Sequence, residues 1–551
     1  MRDASRDGRS CGGDASRRDV LTALWSGGLA LGLFSRSARG AAARVPERLA
    51  HGSVYENRAG AGVRTPRDRG LAGVLVSNGR DVVRTGADGR WTLPVEDGQS
   101  LFVIKPAHWR YAGRPHQAAR FWHYAGAQND TAPIDFGLQR AEEPENFDVL
   151  LVADTQAATR EELAYVRQDL LEAARNSGAV FGLHHGDVMG DDLSLLPEYL
   201  NIVHETGMPW HHCPGNHDMD VQAKSQHLAF DTWQRLVGPS HYAFEYGKAL
   251  FIVLNTVEFL GNGNGPDAHR PYRGRIGSAQ LQFVRAVLDN VPMDRLVVVS
   301  MHIPLVSFNE PESDTATTAD RAALLALLAE RPHTISFAGH SHTTEHHYLG
   351  RSEGFDRNCP HHHHVLTAVC GSWWSGERDA QGVPMADSRD GSPRGHHILS
   401  VDGSNASTRF VPAGNIPSRQ MRLMVCEAAD PARTPALAQG AVRSADLGSL
   451  ALLADVFDGG PKTKVTLEVA AAALSAPMAM HAVSRTDPYV AHSYAQAPHL
   501  CKPWLEACVS SHVWQAPLPA ELGPGCHRLI VTATNEFGVM HREELILEVT
   551  A

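Results

Sequence analysis

Lysine is scarce in this 551-residue chain: six of its 50 basic side chains are lysine, and the other 44 are arginine. Acidic groups outnumber basic ones, for a net charge of −11. That balance excludes a general nucleic-acid binder or a protein held on anionic membranes, and no nucleic-acid patch is evident. Long apolar runs are missing from the mature chain, which excludes a polytopic membrane protein. Eight cysteines include no Cys-x-x-Cys pair, so a structural zinc site is not indicated. The 43% apolar and 20% charged fractions are those of an ordinary globular protein. At roughly 150 residues per domain the length suggests about three or four domains. Against these shortages stands one surplus, 31 histidines, which invites a metal reading that the count alone cannot support.

The first 43 residues read as an address rather than a fold. Ser16-Arg17-Arg18-Asp19-Val20-Leu21 leads into an apolar run from Val20 to Phe34, followed by Arg36, Arg39 and Ala41-Ala42-Ala43. A charged start, a short apolar stretch and a small-residue cleavage zone make a signal peptide, and the paired arginines resemble a twin-arginine signal. A general secretory signal or a retained anchor is the alternative. Cys11 precedes the apolar run, which argues against a lipoprotein. The expected partner is the twin-arginine export machinery, and the expected location is periplasmic or secreted. Loss of Cys11 leaves seven cysteines; one disulfide among Cys501, Cys508 and Cys526 is expected in an oxidising compartment.

Residues 44–70, rich in Arg, Gly and Ala, read as a linker. Over 71–140, short apolar runs with Asn78-Gly79 and Asp88-Gly89 turns predict a small antiparallel β-domain. Residues 141–402 alternate apolar runs (Val149–Ala153, Phe251–Leu254, Leu296–Val299) with helical spacing over Gln280–Leu288 and Arg321–Leu328. Thr159-x-x-Glu162 is a capping box that opens an amphipathic helix to about Asn176. This rhythm predicts an α/β domain with buried strands. It stops near 402, and runs such as Lys464–Val469, Arg528–Ala533 and Glu544–Val549 predict a C-terminal β-rich domain over 403–551.

The apolar runs of the middle region end in residues of metal-ligand type. They lead to Asp154, to Gly186-Asp187, to Gly215-Asn216-His217-Asp218, to His302 and to Gly339-His340-Ser341-His342. Open α/β sheets deliver such strand ends to one crevice. Carboxylate, amide and imidazole together suit divalent first-row metals. In this order the segments Asp154-Thr155-Gln156, Gly186-Asp187, Gly215-Asn216-His217-Asp218, Met301-His302 and Gly339-His340-Ser341-His342 resemble the calcineurin-like metallophosphoesterase family. Gly371-Ser372-Trp373-Trp374-Ser375-Gly376 and Asp390-Gly391-Ser392-Pro393-Arg394-Gly395 resemble segments of a bacterial subgroup. That subgroup carries a carboxypeptidase-regulatory-like β-domain in front and a dedicated β-domain behind.

The resemblance implies an α/β fold in which a double β-sheet sandwich is flanked by helices. It implies two divalent or trivalent transition-metal ions, Mn, Fe or Zn. Asp154 and His342 would bind the first metal, Asp187 would bridge both, and Asn216, His302 and His340 would complete the second. Gln156 stands where an Asp-x-His is commoner, and would ligate through its carbonyl oxygen or only position a water. Metals about 3.5–4 Å apart depress the pKa of a shared water, giving a hydroxide that attacks phosphorus in line. His217 would protonate the leaving oxygen. The acid that orients this histidine falls three residues after the bridging Asp in many relatives; here that position is Gly190, and Asp191 or Asp192 would substitute.

Further readings concern the rim. Trp373 and Trp374 would form a stacking wall or pack in the core, and Arg378, Arg389 and Arg394 are candidate phosphate contacts. His361 to His364 read as a solvated or structural run, since at most alternate residues of a strand share a face. The expected activity is hydrolysis of phosphate esters, monoesters before diesters. One alternative is a phosphodiesterase acting on nucleotides or phospholipid headgroups. Another, from a different class, is an envelope-binding protein with a degenerate phosphoesterase scaffold.

Overall fold

The computed structural model describes residues 48–58, 64–112, 121–126, 132–261, 272–414, 418–428, 441–470 and 477–551. The export signal read over 1–43 lies outside the described residues.

Strand Asn146–Val152 shows how the catalytic core is layered. Its Val149 and Leu151 pack into one apolar cluster, while Leu150 and Val152 pack into another. A strand buried on both faces reads as a continuous apolar run, and that is what the sequence carries. It sits in a five-stranded sheet ordered Trp210–Cys213, Phe181–His185, Asn146–Val152, Gly395–Asp402, Asn405–Pro412. The first three of these strands run parallel and the last two antiparallel.

A six-stranded sheet faces it, ordered Tyr242–Tyr246, Ala249–Val253, Leu296–Ser300, Thr334–Ala338, His361–Val365, Glu345–Leu349. Its four inner strands are parallel and its two edges antiparallel. Val149, Leu151 and Phe181 from the first sheet meet Phe244, Phe251 and Val298 from the second in one cluster. Helices Arg160–Ser177 and Leu196–Glu205 cover the outer face of the first sheet, with Leu163, Val166 and Tyr199 packed on Leu150 and Val152. Helices Ser278–Leu288 and Arg321–Leu328 pack on the second sheet through Phe283, Val284, Leu324 and Leu328. The first helix begins at its predicted cap: Thr159 accepts from the Glu162 amide, while the Glu162 carboxylate reaches one residue past the cap to the Ala158 amide, at 2.7 Å.

Two four-stranded sheets precede this core. The stretch read as a linker over 44–70 is corrected here. Leu49–Glu56 is a strand, paired antiparallel with Arg90–Pro94 and parallel with Ile134–Arg140. Ser53, Val54 and Tyr55 are buried in it. The Arg- and Gly-rich surroundings hide this short run, whose stability comes from long-range pairing rather than local pattern.

Two further sheets end the chain: Met421–Glu427, Leu450–Val456, Val509–Pro517 and His481–Thr486 form one, and five strands including Gly525–Thr534 and Met540–Thr550 the other. The boundary expected at 402 is also corrected. Asn405–Pro412 pairs along its length with Gly395–Asp402 and so belongs to the catalytic sheet.

The expected disulfide is not formed: all described cysteines are free thiols. Cys501 Sγ donates to Ala497 O, the Cys508 amide donates to Arg389 O, and Cys526 is exposed on a strand, so the three serve different surfaces. Among the described residues, no helix is long and apolar enough to cross a membrane.

Candidate metal centre

Asp154, Asp187, Asn216, His302 and His340 each follow the C-terminal end of a parallel strand, and His342 comes two residues after His340. Five of the predicted metal ligands have left-handed backbones: Asp154 (φ 52°), Gln156 (35°), Asp187 (51°), His340 (81°) and His342 (54°). Such conformations cost about 1–3 kcal/mol each and persist where the surroundings enforce them. Two glycines make the close approach possible. A Cβ on Gly215 would lie 2.1 Å from Asp187 Oδ1, and one on Gly339 would lie 2.4 Å from Asp154 Oδ2.

The side chains converge. His302 Nε2 lies 3.1 Å from Asn216 Oδ1, 3.2 Å from His340 Nδ1 and 3.3 Å from Asp187 Oδ2. His342 Nε2 lies 3.7 Å from Asp154 Oδ1. The Asp154 carboxylate accepts from the His340 amide, and Asp187 Oδ1 accepts from the His217 amide at 2.8 Å. Asp187, His302 and His340 place their ligand-type atoms within 4.8 Å of one another.

Tautomers follow from the outer hydrogen bonds. His302 Nδ1 donates to His185 O at 2.8 Å, His340 Nε2 to Thr315 O at 3.0 Å, and His342 Nδ1 to Gly371 O at 2.6 Å. The remaining nitrogens, His302 Nε2, His340 Nδ1 and His342 Nε2, therefore turn their lone pairs inward. Such outer bonds are what orient metal-ligating imidazoles. His342 Nε2 is buried with no hydrogen-bond partner among the described residues. His302 and His340 point nitrogens at each other, which two bare lone pairs would not tolerate.

Burial and close opposite charges set the titration of the donor groups. Burial opposes charge on His302, but the Asp187 carboxylate beside it holds its pKa up, at about 9. Burial would also raise Asp187, yet His302 and His217 hold its carboxyl well below the usual range. Burial pushes Asp154 up to about 7 and His340 down to about 3. Metal binding at these inward nitrogens would compete with their protonation. The residues fit metal ions.

His217 lies at the rim, its side chain 27% exposed. Its Nδ1 donates to Asp191 Oδ1 at 2.8 Å. Asp192, the other candidate for this contact, is corrected: its carboxylate accepts from the Ser194 amide and caps a short turn. Gln156 is brought to the cluster but presents its amide NH₂, which donates to Asp187 Oδ2 at 2.9 Å, while its oxygen faces the Cys370 thiol. In that orientation it is a donor to Asp187 and not a ligand.

Two substrate candidates are also corrected. Trp374 is buried, with Nε1 donating to Thr155 O at 3.0 Å. Arg394 is buried and committed to Asp169, Asp379 and Pro384 O, out of reach of a phosphate. Trp373 remains at the site, stacked on His342 with ring centroids 4.1 Å apart.

Residues missed in the sequence complete the picture. Asp218, fully buried, accepts from the amides of Gly215, Met189 and Val188 at 2.8, 3.0 and 3.1 Å, which ties two ligand loops together. Trp504 of the C-terminal β-region stands edge-on to Trp373, 62% exposed. Nearby, Asp390 accepts from the Thr344 amide, and His512 bridges Asp390 (2.9 Å) and Asp455 (2.6 Å), all buried.

Three family profiles match the chain: N terminal of calcineurin-like phosphoesterase over residues 59–141, calcineurin-like phosphoesterase over 147–344, and C terminal of calcineurin-like phosphoesterase over 363–541. The chain belongs to the calcineurin-like phosphoesterase family. Membership supports a metal-dependent phosphoesterase and implies a dinuclear metal centre. Similar solved structures include a purple acid phosphatase from yellow lupin (Lupinus luteus) seeds, at 12% identity and TM-score 0.36, covering 62% of this chain and 67% of that one. A metallophosphoesterase from Sphaerobacter thermophilus is 13% identical with TM-score 0.23, covering 48% of this chain and 89% of that one. No curated protein matches the chain. The phosphoesterase core accounts for every strand end that carries a candidate ligand.

Proposed function

We propose that this phosphoesterase is an exported phosphomonoesterase, with Asp154, His342 and the bridging Asp187 holding one metal and Asp187, Asn216, His302 and His340 the other. The observation that carries the reading is the inward set of lone pairs on His302, His340 and His342, one of them buried with no partner. Bound transition metals, Mn, Fe or Zn, would supply Lewis acidity toward the phosphoryl oxygens and an acidified water.

The chain's own groups do the rest. His217 delivers a proton from Nε2 to the leaving oxygen, and Asp191, on Nδ1, keeps the ring turned and supports its charge. Gln156 and the His217 amide hold the two oxygens of Asp187. Trp373 backs His342 and offers its remaining face to the ester's organic group, with Trp504 beside it. Arg378 is engaged by Glu161 and the Tyr165 hydroxyl, which leaves Arg389, half-buried near His342, of the three arginines first considered. A mono-aryl and a bis-aryl phosphate, tested with metal quantification, check the monoester reading: faster turnover of the mono-aryl ester is expected, and a preference for the diester would refute it. Export rests on Arg17 and Arg18. Replacing both by Lys should leave the precursor in the cytoplasm, and normal export would point to general secretion.

A further inference from the structure

The His-rich strand His361–Val365 divides its imidazoles between two faces. His361 and His363 turn to one side, where both contact Ser336 Oγ at 2.7 Å and His363 Nε2 accepts from the Leu305 amide. His362 and His364 turn to the other, toward His346 on the edge strand and toward Asp458 and Glu536 from the C-terminal β-region. None of these groups belongs to the catalytic cluster.

His346 Nε2 lies 3.1 Å and His364 Nε2 lies 3.2 Å from Asp458 Oδ1, and the three atoms fall within 4.8 Å of one another. Tetrahedral zinc with bonds of about 2.0–2.1 Å sets its ligand atoms about 3.3 Å apart, which these two edges match. A second observation points the same way. His364 is fully buried, stacks on His346 at 4.0 Å, and neither of its ring nitrogens has a hydrogen bond of acceptable geometry. Its Nε2 faces Asp458 outside hydrogen-bond geometry and its Nδ1 meets no acceptor, and a buried polar ring so poorly satisfied is costly unless something binds it.

The neighbours orient the set. His346 Nδ1 lies 2.9 Å from His362 Nε2 and 3.6 Å from Glu536 Oε1, so a proton on Nδ1 has acceptors on that side and Nε2, which faces Asp458, can serve as the ligand atom. His397 Nε2 accepts from the Thr367 amide, which puts its proton on Nδ1, facing Asp458 Oδ1 at 3.7 Å. His397 therefore turns an N–H toward Asp458, beyond hydrogen-bond distance, and is not a ligand.

We propose that His346, His364 and Asp458 form a separate site for a zinc-like divalent cation, which fastens the C-terminal β-region to the edge of the six-stranded sheet. Imidazole and carboxylate ligands from three segments suit first-row divalent ions and not calcium or magnesium. The site shares no ligand with the catalytic centre, so its occupancy can be read separately.

The test uses the full-length mature chain, stripped with chelator and reloaded with zinc alone. His364→Gln and Asp458→Asn should each bind one equivalent less zinc than the wild type while keeping aryl phosphatase activity; unchanged stoichiometry in both would overturn the proposal. Where a variant fails to fold, crystals of the wild type grown with zinc decide the matter. Anomalous density between His346, His364 and Asp458 is expected, and its absence with the catalytic site occupied would overturn the proposal.

Discussion

Removing the Asp218 carboxylate by Asp218→Ala tests the most connected polar group near the centre. Its oxygens accept three buried backbone amides, from Gly215, Met189 and Val188, at 2.8–3.1 Å. A buried amide left without an acceptor costs about 1–3 kcal/mol, so three in the lower half of that range sum to about 3–6 kcal/mol. Part of this is offset, because burial and the Asp187 charge disfavour the ionised Asp218 and push its pKa up to about 7. The expected net loss is about 2–4 kcal/mol. Function should suffer as well, since these bonds clamp the loop carrying Asn216 and His217 against the one carrying Asp187. Outer-shell substitutions of this kind weaken metal affinity by about 10–100-fold. Chemical denaturation and a metal titration of wild type and variant measure both effects. A stability change under about 0.5 kcal/mol, the range of neutral surface substitutions, together with unchanged metal affinity would refute the reasoning.

His217→Asn should lower aryl phosphate turnover by about 10²–10⁴-fold with metal content intact, and full activity would end its role as proton donor. Asp191→Asn should cost far less, a few-fold in turnover, because a 39% exposed carboxylate contributes only about 0.2–1 kcal/mol to its partner; an effect as large as that of His217→Asn would contradict this ranking. Asp187→Ala should lose one or both metals by elemental analysis, and an unchanged metal content would refute the bridge. His512 yields a pH prediction. Burial opposes its charge, but Asp455 and Asp390 on its two nitrogens hold its pKa well above the ordinary value, with Arg422 and Asp487 as the other charges of the cluster. A raised folded-state value means its contribution is complete below about pH 6.5 and fades as pH rises through that value. The melting-temperature gap between wild type and His512→Gln should therefore narrow on going alkaline, and a pH-independent gap would count against the charged histidine.

The core was legible because its signals are local. Val149–Ala153 and Leu296–Val299 announce strands buried on both faces, and each runs straight into a ligand-type residue. Parallel strands then guarantee convergence, so Asp154, Asp187, Asn216, His302, His340 and His342 were readable from order alone. What depends on long-range pairing was not. Leu49–Glu56 has no pattern of its own and is a strand because partners flank it on both sides. Choosing between Asp191 and Asp192, or between Trp373 and Trp374, needs a side-chain direction that a loop sequence does not encode. Arg394 looked like a phosphate contact by type, and its burial against Asp169 depends on a helix more than 200 positions away. Trp504 carried no signal, because nothing in its own segment refers to the crevice it borders.

The chain of contacts from Thr344 through Asp390 to His512 and Asp455 has a consequence for anyone dissecting the molecule. Profiles divide the sequence into three segments that look separable, as if the last could be exchanged or trimmed at will. Yet the hinge of the His340–His342 loop is moored, two residues on, to a carboxylate whose other partner belongs to the last segment. A truncated catalytic core would keep every candidate ligand and lose the post to which one of their loops is tied. The unit to express is therefore all three segments together.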